Sequence, residues 1–341
     1  MSMKPGNIEQ IRQEMETMVE RLAPESPADQ RGYVADVLRS AVMLLHDGCD
    51  SGQIKLMSKA VKEMRRSWQV FNHYRGVPKV TIYGSARTPE DHPDYAAARD
   101  FGRLMADEGW MAITGAGDGI MKAGHEGPRR EASFGLRIRL PFETSANDVI
   151  EGDPKLVSFQ YFFTRKLMFM AHAEAVSVFP GGFGTMDELF EALTLIQTGK
   201  SNLVPIVLVE GTETYWSTWQ SFIKQELEAK GFISNMDQSL VHIAKDPQDA
   251  RDHIMQFYRR FHSSRYVGPK YVIRMKLPLT DTDVELLNDE FSDVVDGGRM
   301  ELSGPLRGET DHLELPRLVF VHTRRDWGRM RQLLDRINEL A

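Results

Sequence analysis

Between residues 79 and 210 the chain alternates two textures, and this alternation restricts the fold more than any other feature. KVTIYGSA, WMAITGAG, FGLRIRLP, AVSVFPGG and VPIVLVEG are short apolar runs, each leading into a glycine or a proline. Between most of them lie helical patterns such as DYAAARDFGRLMADEG and TMDELFEALTLIQTG. Strands separated by helix-length segments return by crossovers, which predicts an α/β domain: a Rossmann-like parallel sheet with helices on both faces. In such sheets ligands sit outside the carboxyl ends of the strands, where these glycines fall.

The flanks read differently. Apolar residues at helical spacing (Ile8, Ile11, Met15, Met18 and Val19, then Val34, Val37, Leu38, Val42 and Leu45) predict helices over 7–22 and 29–47, with a third over 53–74. After about residue 265, KYVIRMKLPL, TDTDVELLNDEFSDVV, RMELSGPL, LPRLVFVHT and a final helix predict a small α+β module. The expected organisation is therefore an N-terminal helical segment (1–75), a Rossmann-like catalytic domain (76–264) and a C-terminal module (265–341).

A net charge of −7 argues against a protein built to hold a nucleic-acid backbone. The single cysteine, Cys49, cannot form an intrachain disulfide and is read as a small buried residue. The N-terminus lacks a signal pattern and no apolar run reaches membrane-spanning length, so the expectation is a soluble cytoplasmic protein with no membrane partner.

Two glycine loops carry the functional reading. In ITGAGDGIM, Gly115, Gly117 and Gly119 precede a helix, where free backbone N–H groups can meet an anion. Position 120 is Ile120, so the spacing departs from the dinucleotide-binding G-x-G-x-x-G pattern. In PGGFGTMDE, Gly181, Gly182 and Gly184 are expected to allow positive φ and close approach to a ligand. A helix expected from Thr185 would aim its amides at the same space. No Walker lysine follows, so a monophosphate cradle fits better than a triphosphate loop.

Glu188 has two readings. Thr185-x-x-Glu188 is the pattern of a capping box, in which the glutamate only satisfies backbone at a helix start. Beside a phosphate cradle, the same carboxylate is placed for chemistry on a nucleotide's sugar. Upstream, FQYFFTRKLMFMAHAEA puts Arg165 and Lys166 side by side on an apolar stretch, either as a solvated helix face or as cations for a phosphate and ribose site. Phe162, Met168 and Met170 in that stretch are read as core.

Together these stretches resemble the Lonely guy family, the cytokinin riboside 5′-monophosphate phosphoribohydrolases formerly labelled lysine decarboxylases. The hallmark P-G-G-x-G-T-x-x-E stands as Pro180 to Glu188, preceded by the Arg165-Lys166 pair. YGSAR, with Gly84 and Ser85, and TGAGDGIM match the family's first two loops. FGLRIRLPFE is similar to the longer bacterial branch, ending in Glu143. That branch usually continues into a Gln and an Asn-Pro, where TSANDVIEGDP stands here. Ala116 occupies the place of a third consecutive glycine in short members.

The resemblance covers roughly residues 79–262. It implies hydrolysis of the N-glycosidic bond of a nucleoside 5′-monophosphate, an AMP or GMP type or a cytokinin riboside monophosphate, to free base and ribose 5-phosphate. Glu188 and Arg165 would be the catalytic residues, the carboxylate acting on the sugar and the cation positioning the substrate. Gly84, Ser85, Gly115, Gly117, Gly119, Glu143, Lys166, Gly181, Gly182, Gly184 and Thr185 would bind substrate. No metal or other cofactor is implied, and a homodimer is. Pyridoxal-phosphate decarboxylation would need a Schiff-base lysine, and neither Lys166 nor Lys200 has a recognisable setting for one. The same fold could instead serve a non-enzymatic nucleotide or molybdenum-cofactor carrier.

Overall fold

The structure, a computed structural model, describes residues 5–141, 145–211 and 214–340. The chain divides into two compact units, Met1–Arg65 and Arg66–Ala341. Near the N-terminus, α1 (Pro5–Leu22) and α2 (Ala28–His46) pack together and bury Val19 and Ala35, and α3 runs over Ser51–Phe71. These helices lie where the apolar spacing predicts them. Leu22, Tyr33 and Leu45 remain 71%, 72% and 69% exposed, and Cys49 is half-buried rather than buried.

The larger unit is built on a seven-stranded sheet, all parallel. Its strands are β1 (Lys79–Tyr83), β2 (Met111–Thr114), β3 (Ser133–Ile138), β4 (Leu156–Phe159), β5 (Ala175–Val178), β6 (Ile206–Leu208) and β7 (Val241–Ile243). Their order is β4-β3-β2-β1-β5-β6-β7. The five predicted apolar runs supply β1, β2, β3, β5 and β6. The edge strands β4 and β7 escape prediction because neither lies in an apolar run that leads into a glycine or a proline: Gln160 follows β4, and Ala244 and Lys245 follow β7.

The helices that follow these strands are α4 (Pro93–Asp107), α5 (Ile120–Glu126), α6 (Phe162–His172), α7 (Phe183–Gln197) and α8 (Tyr215–Phe222), all in crossovers, and α9 (Pro247–Phe257), which leads out of the sheet. Side-chain alternation along β1 shows why both faces need cover. Val80 and Ile82 pack with Phe101 of α4, Ala123 of α5 and Ile254 of α9. Tyr83 points the other way, its ring 5.0 Å from that of Phe169 on α6.

A second sheet, antiparallel and ordered β10-β11-β9-β8, follows. It comprises β8 (Phe261–Val267), β9 (Lys270–Met275), β10 (Glu301–Ser303) and β11 (Arg317–Val321), with α10 (Asp281–Glu290) and α11 (Trp327–Glu339). The start of α11 sits against the end of α7: a methyl on Gly199 would fall 2.5 Å from the Trp327 ring.

Candidate active site

The strand order places the chain's change of direction between β1 and β5, and a crevice opens at their carboxyl ends. Three loops close around it. Ser85, just after β1, donates its amide to Pro180 O at 3.1 Å and accepts the Ile120 amide at 3.0 Å, so one residue ties the loops after β1, β2 and β5 together. Their close approach excludes side chains. A Cβ on Gly84 would lie 2.5 Å from Ile120, and one on Gly181 2.2 Å from Thr185 Oγ1. Gly119 adds a positive φ of 59° and would meet Ser85 O at 2.4 Å.

The loop after β5 works through space rather than through unusual dihedrals. Gly181, Gly182 and Gly184 all avoid positive φ, contrary to the expectation for PGGFG. Around Gly182 and Gly184 an added methyl would meet nothing within 4 Å, so both present bare backbone to the crevice. Helix α7 begins at Phe183 with Gly182 as its cap, two residues earlier than expected, and no side chain caps it. The first amides of a helix have no intrahelical partner. With Gly182, Phe183, Gly184 and Thr185 lining the cavity, those donors and the positive end of the dipole face the space where an anion would sit.

That early start also removes the capping box. Thr185 is the third residue of α7 and Glu188 the sixth, so the pair is one turn apart inside the helix, on one face. Glu188 is 8% exposed, and its two oxygens meet different cations of α6: Oε1 lies 3.6 Å from Arg165 and Oε2 3.7 Å from Lys166. Both distances are longer than hydrogen bonds. Burial raises the Glu188 carboxyl and the two cations lower it, while Glu191 and Asp187 add to the rise; the outcome is about 7.

Arg165 is held over the rings of Phe162 and Phe169, at 5.1 and 5.8 Å. Lys166 Nζ binds Asp187 at 2.9 Å and Glu191 at 2.5 Å. Burial opposes its charge, but these acids outweigh it and hold the ammonium above the ordinary lysine range.

The cavity measures about 790 Å³, within the range of small-molecule sites. Gly84, Ser85, Gly115, Gly117 and Arg165 line it, as do Gly181, Gly182, Gly184, Thr185 and Glu188. Gly119 and Lys166 lie behind the lining: Gly119 shapes the loop contact and Lys166 faces the acids of α7. Glu143 lies outside the described residues. Phe162, read as core, is half-exposed and lines the cavity, whereas Met168 is buried.

Sequence reasoning passed over Arg87, Met121 and Tyr215, all in the lining. The Tyr215 hydroxyl donates to Gly181 O at 2.5 Å, a contact across 34 residues with no local signal. Met121 packs where side chains on Gly115 and Gly117 would lie, and the glycine spacing was the clue to it.

Comparison with known proteins agrees with this region. Residues 115–254 match a protein-family model described as possible lysine decarboxylase. A probable cytokinin riboside 5′-monophosphate phosphoribohydrolase of Oryza sativa subsp. japonica is 31% identical over 144 residues, 40% of this chain and 59% of that protein. A cytokinin riboside 5′-monophosphate phosphoribohydrolase of Arabidopsis thaliana is 31% identical over 40% of this chain and 63% of its own length. The chain thus spans about three fifths of these curated relatives. Among solved structures, a molybdenum cofactor binding protein from Rippkaea orientalis is 20% identical, covering 53% of this chain and 96% of that one, with a TM-score of 0.39. The molybdenum cofactor carrier protein of Chlamydomonas reinhardtii is 23% identical over 52% and 96%, with a TM-score of 0.37.

Proposed function

The domain built around these loops belongs to the Lonely guy family, and we propose that it hydrolyses the N-glycosidic bond of nucleoside 5′-monophosphates. The observation that carries this reading is the placement of Glu188. A buried carboxyl raised to about 7 shares one cavity with the uncapped start of α7.

The amides of Phe183, Gly184 and Thr185 bind the 5′-phosphate, and the sugar then extends toward Glu188. As the C1′–N bond breaks, its electron pair leaves with the base, and positive charge develops on the ribose. Ionised Glu188 stabilises that charge and takes a proton from the water that attacks C1′, as carboxylates do in glycoside hydrolysis. The departing base takes up a proton from solvent, Glu188 releases to solvent the one it accepted from water, and ribose 5-phosphate remains, so substrate plus water balances the products. Arg165, fixed by two aromatic rings, places the substrate and lowers the Glu188 carboxyl, which favours its ionised form.

Decarboxylation through a lysine Schiff base fits poorly, because an amine kept charged by Asp187 and Glu191 is a weak nucleophile. Among the described residues, no helix is long and apolar enough to cross a membrane.

The test is release of free base from a panel of nucleoside monophosphates. AMP should exceed adenosine in kcat/KM by about 100-fold or more, since only an anion uses the helix start. Equal rates on the two would remove the phosphate cradle, and binding without turnover would leave a carrier. We further propose that the chain works as a homodimer. The exposed Leu22, Tyr33 and Leu45 of the first unit are apolar surface that a soluble chain covers by pairing. Light scattering at low micromolar concentration should give twice the chain mass, and a strict monomer with full activity would refute it.

A further inference from the structure

The loop after β2 contains a backbone position that ought to be glycine and is not. Ala116 has φ of 64°, in the left-handed region that costs an alanine about 1–2 kcal/mol. Such a conformation persists only where its surroundings hold it. Here they hold it from three sides.

The Ala116 methyl is fully buried and packs in a small apolar cluster with Ala146, Ile150 and Leu156. Its amide donates to Thr114 Oγ1 at 3.0 Å. Its carbonyl accepts the Asn147 amide at 2.9 Å, and the next carbonyl, Gly117 O, accepts Asn147 Nδ2 at 2.8 Å. Asn147 is 4% exposed and contacts His125, which is completely buried.

The protonation of His125 follows from its neighbours. Nε2 lies 3.0 Å from Phe134 O, which can only accept, so Nε2 carries the proton. Nδ1 is then an acceptor for Asn147 Nδ2 at 3.2 Å. Burial lowers His125 to about 4, so the ring is neutral at pH 7. The same Nε2 reaches Thr114 Oγ1 at 2.9 Å, which closes the network on the residue that binds the Ala116 amide.

On its other side this loop forms part of the cavity: Gly115, Gly117 and Met121 line it. The two departures from the family pattern, Ala116 and the TSANDVIEGDP segment, therefore meet in one device. We propose that Asn147, seated on His125, is a positioning residue that draws the Ala116 and Gly117 carbonyls out of the cavity so that the loop can take an anionic nucleotide. Carbonyl oxygens turned inward would repel such a ligand, and bonding both to Asn147 prevents that. This rests on the monophosphate reading above.

Two measurements on Asn147→Ala test it, with Asn147→Ser in its place if the alanine variant does not fold. Losing the amide leaves a carbonyl and a ring nitrogen unpaired, so KM for AMP should rise about tenfold while kcat at saturation stays within about threefold. A merely structural Asn147 would lower the melting temperature and the active fraction and leave KM in place, which would overturn the proposal. Amide hydrogen exchange at Gly117–Gly119, measured without ligand, should be faster in the variant, and unchanged exchange would also overturn it. If the wild-type protein releases no base from any monophosphate, the hydrolase reading fails. Exchange and calorimetric AMP binding then decide the loop proposal separately.

Discussion

Glu188 in the cavity and Glu309 in the loop between β10 and β11 are both carboxylates buried between two cations, and they end at opposite extremes. Glu309 accepts from Arg274 Nη2 at 2.6 Å, Arg317 Nε at 3.0 Å and the Leu306 amide at 2.8 Å. Burial pushes it up, but that amide and the two guanidinium groups more than offset the rise and bring it to about 2. Glu188 has its cations at 3.6 and 3.7 Å, and Lys166 is shared with Asp187 and Glu191. Burial there is not repaid, and the carboxyl sits at about 7. The difference is hydrogen bonding rather than the number of cations: charge-assisted bonds near 3 Å offset desolvation, and contacts beyond hydrogen-bond length do not. One arrangement holds a carboxylate permanently ionised, and the other leaves it able to exchange a proton near neutrality.

The largest effect expected is on turnover. Glu188→Gln should lower base release about 1,000-fold, in the range for loss of a general base. Its stability should move the other way. A native carboxyl at about 7 against an ordinary 4.5 means the folded protein binds more protons between those values, so Glu188 takes away stability as pH rises through that window. A neutral glutamine escapes this, and the melting temperature at pH 8 should equal or exceed that of wild type. A clear drop would place Glu188 with Glu309 as a structural residue.

Glu309→Gln should do the reverse: lose about 3–5 kcal/mol in denaturant unfolding, the cost of breaking a buried pair, with KM and kcat of the folded fraction unchanged. Glu309 is depressed, so its contribution is complete above pH 4.5 and is lost as pH falls toward about 2. Wild type should therefore lose more stability over that acid interval than the variant, and equal acid sensitivity would refute the account.

The smallest effect sharpens the comparison at the cavity itself. The rate should rise with pH through about 7 as Glu188 ionises. Lys166→Met removes a cation that lowers Glu188 and bares Asp187 and Glu191, so the midpoint of kcat/KM against pH should move upward. The second ionisation of the substrate phosphate, near pH 6, should stay where it is. An unmoved midpoint would show that Lys166 does not tune Glu188.

Most of the sheet was legible in the sequence because β1, β2, β3, β5 and β6 lie in apolar runs that each lead into a glycine or a proline. The glycine loops were legible for a similar local reason: a tight turn beside a ligand leaves a spacing that survives without knowledge of the fold. The Arg165-Lys166 pair could be seen too, but its division of labour could not. Arg165 lines the cavity while Lys166 turns to the acids of α7, and adjacent residues on a helix point about 100° apart, so only the packing of α6 on α7 decides which way each faces.

The chain's sequence by itself determined the α/β architecture, the three loops and the presence of a carboxylate one helical turn beyond the glycines. Local pattern was misleading where one signature serves two structures. Thr185-x-x-Glu188 describes a capping box or a mid-helix pair equally well, and the extra residues of helix before Thr185 made it the second. What the tertiary structure decided is the chemistry of Glu188. A carboxyl's affinity for its proton is set by burial and by the distances to every nearby charge, and here those charges come from two helices. It decided the Asn147–His125 network as well, which joins residues 22 apart through hydrogen bonds that leave no periodic trace in the sequence.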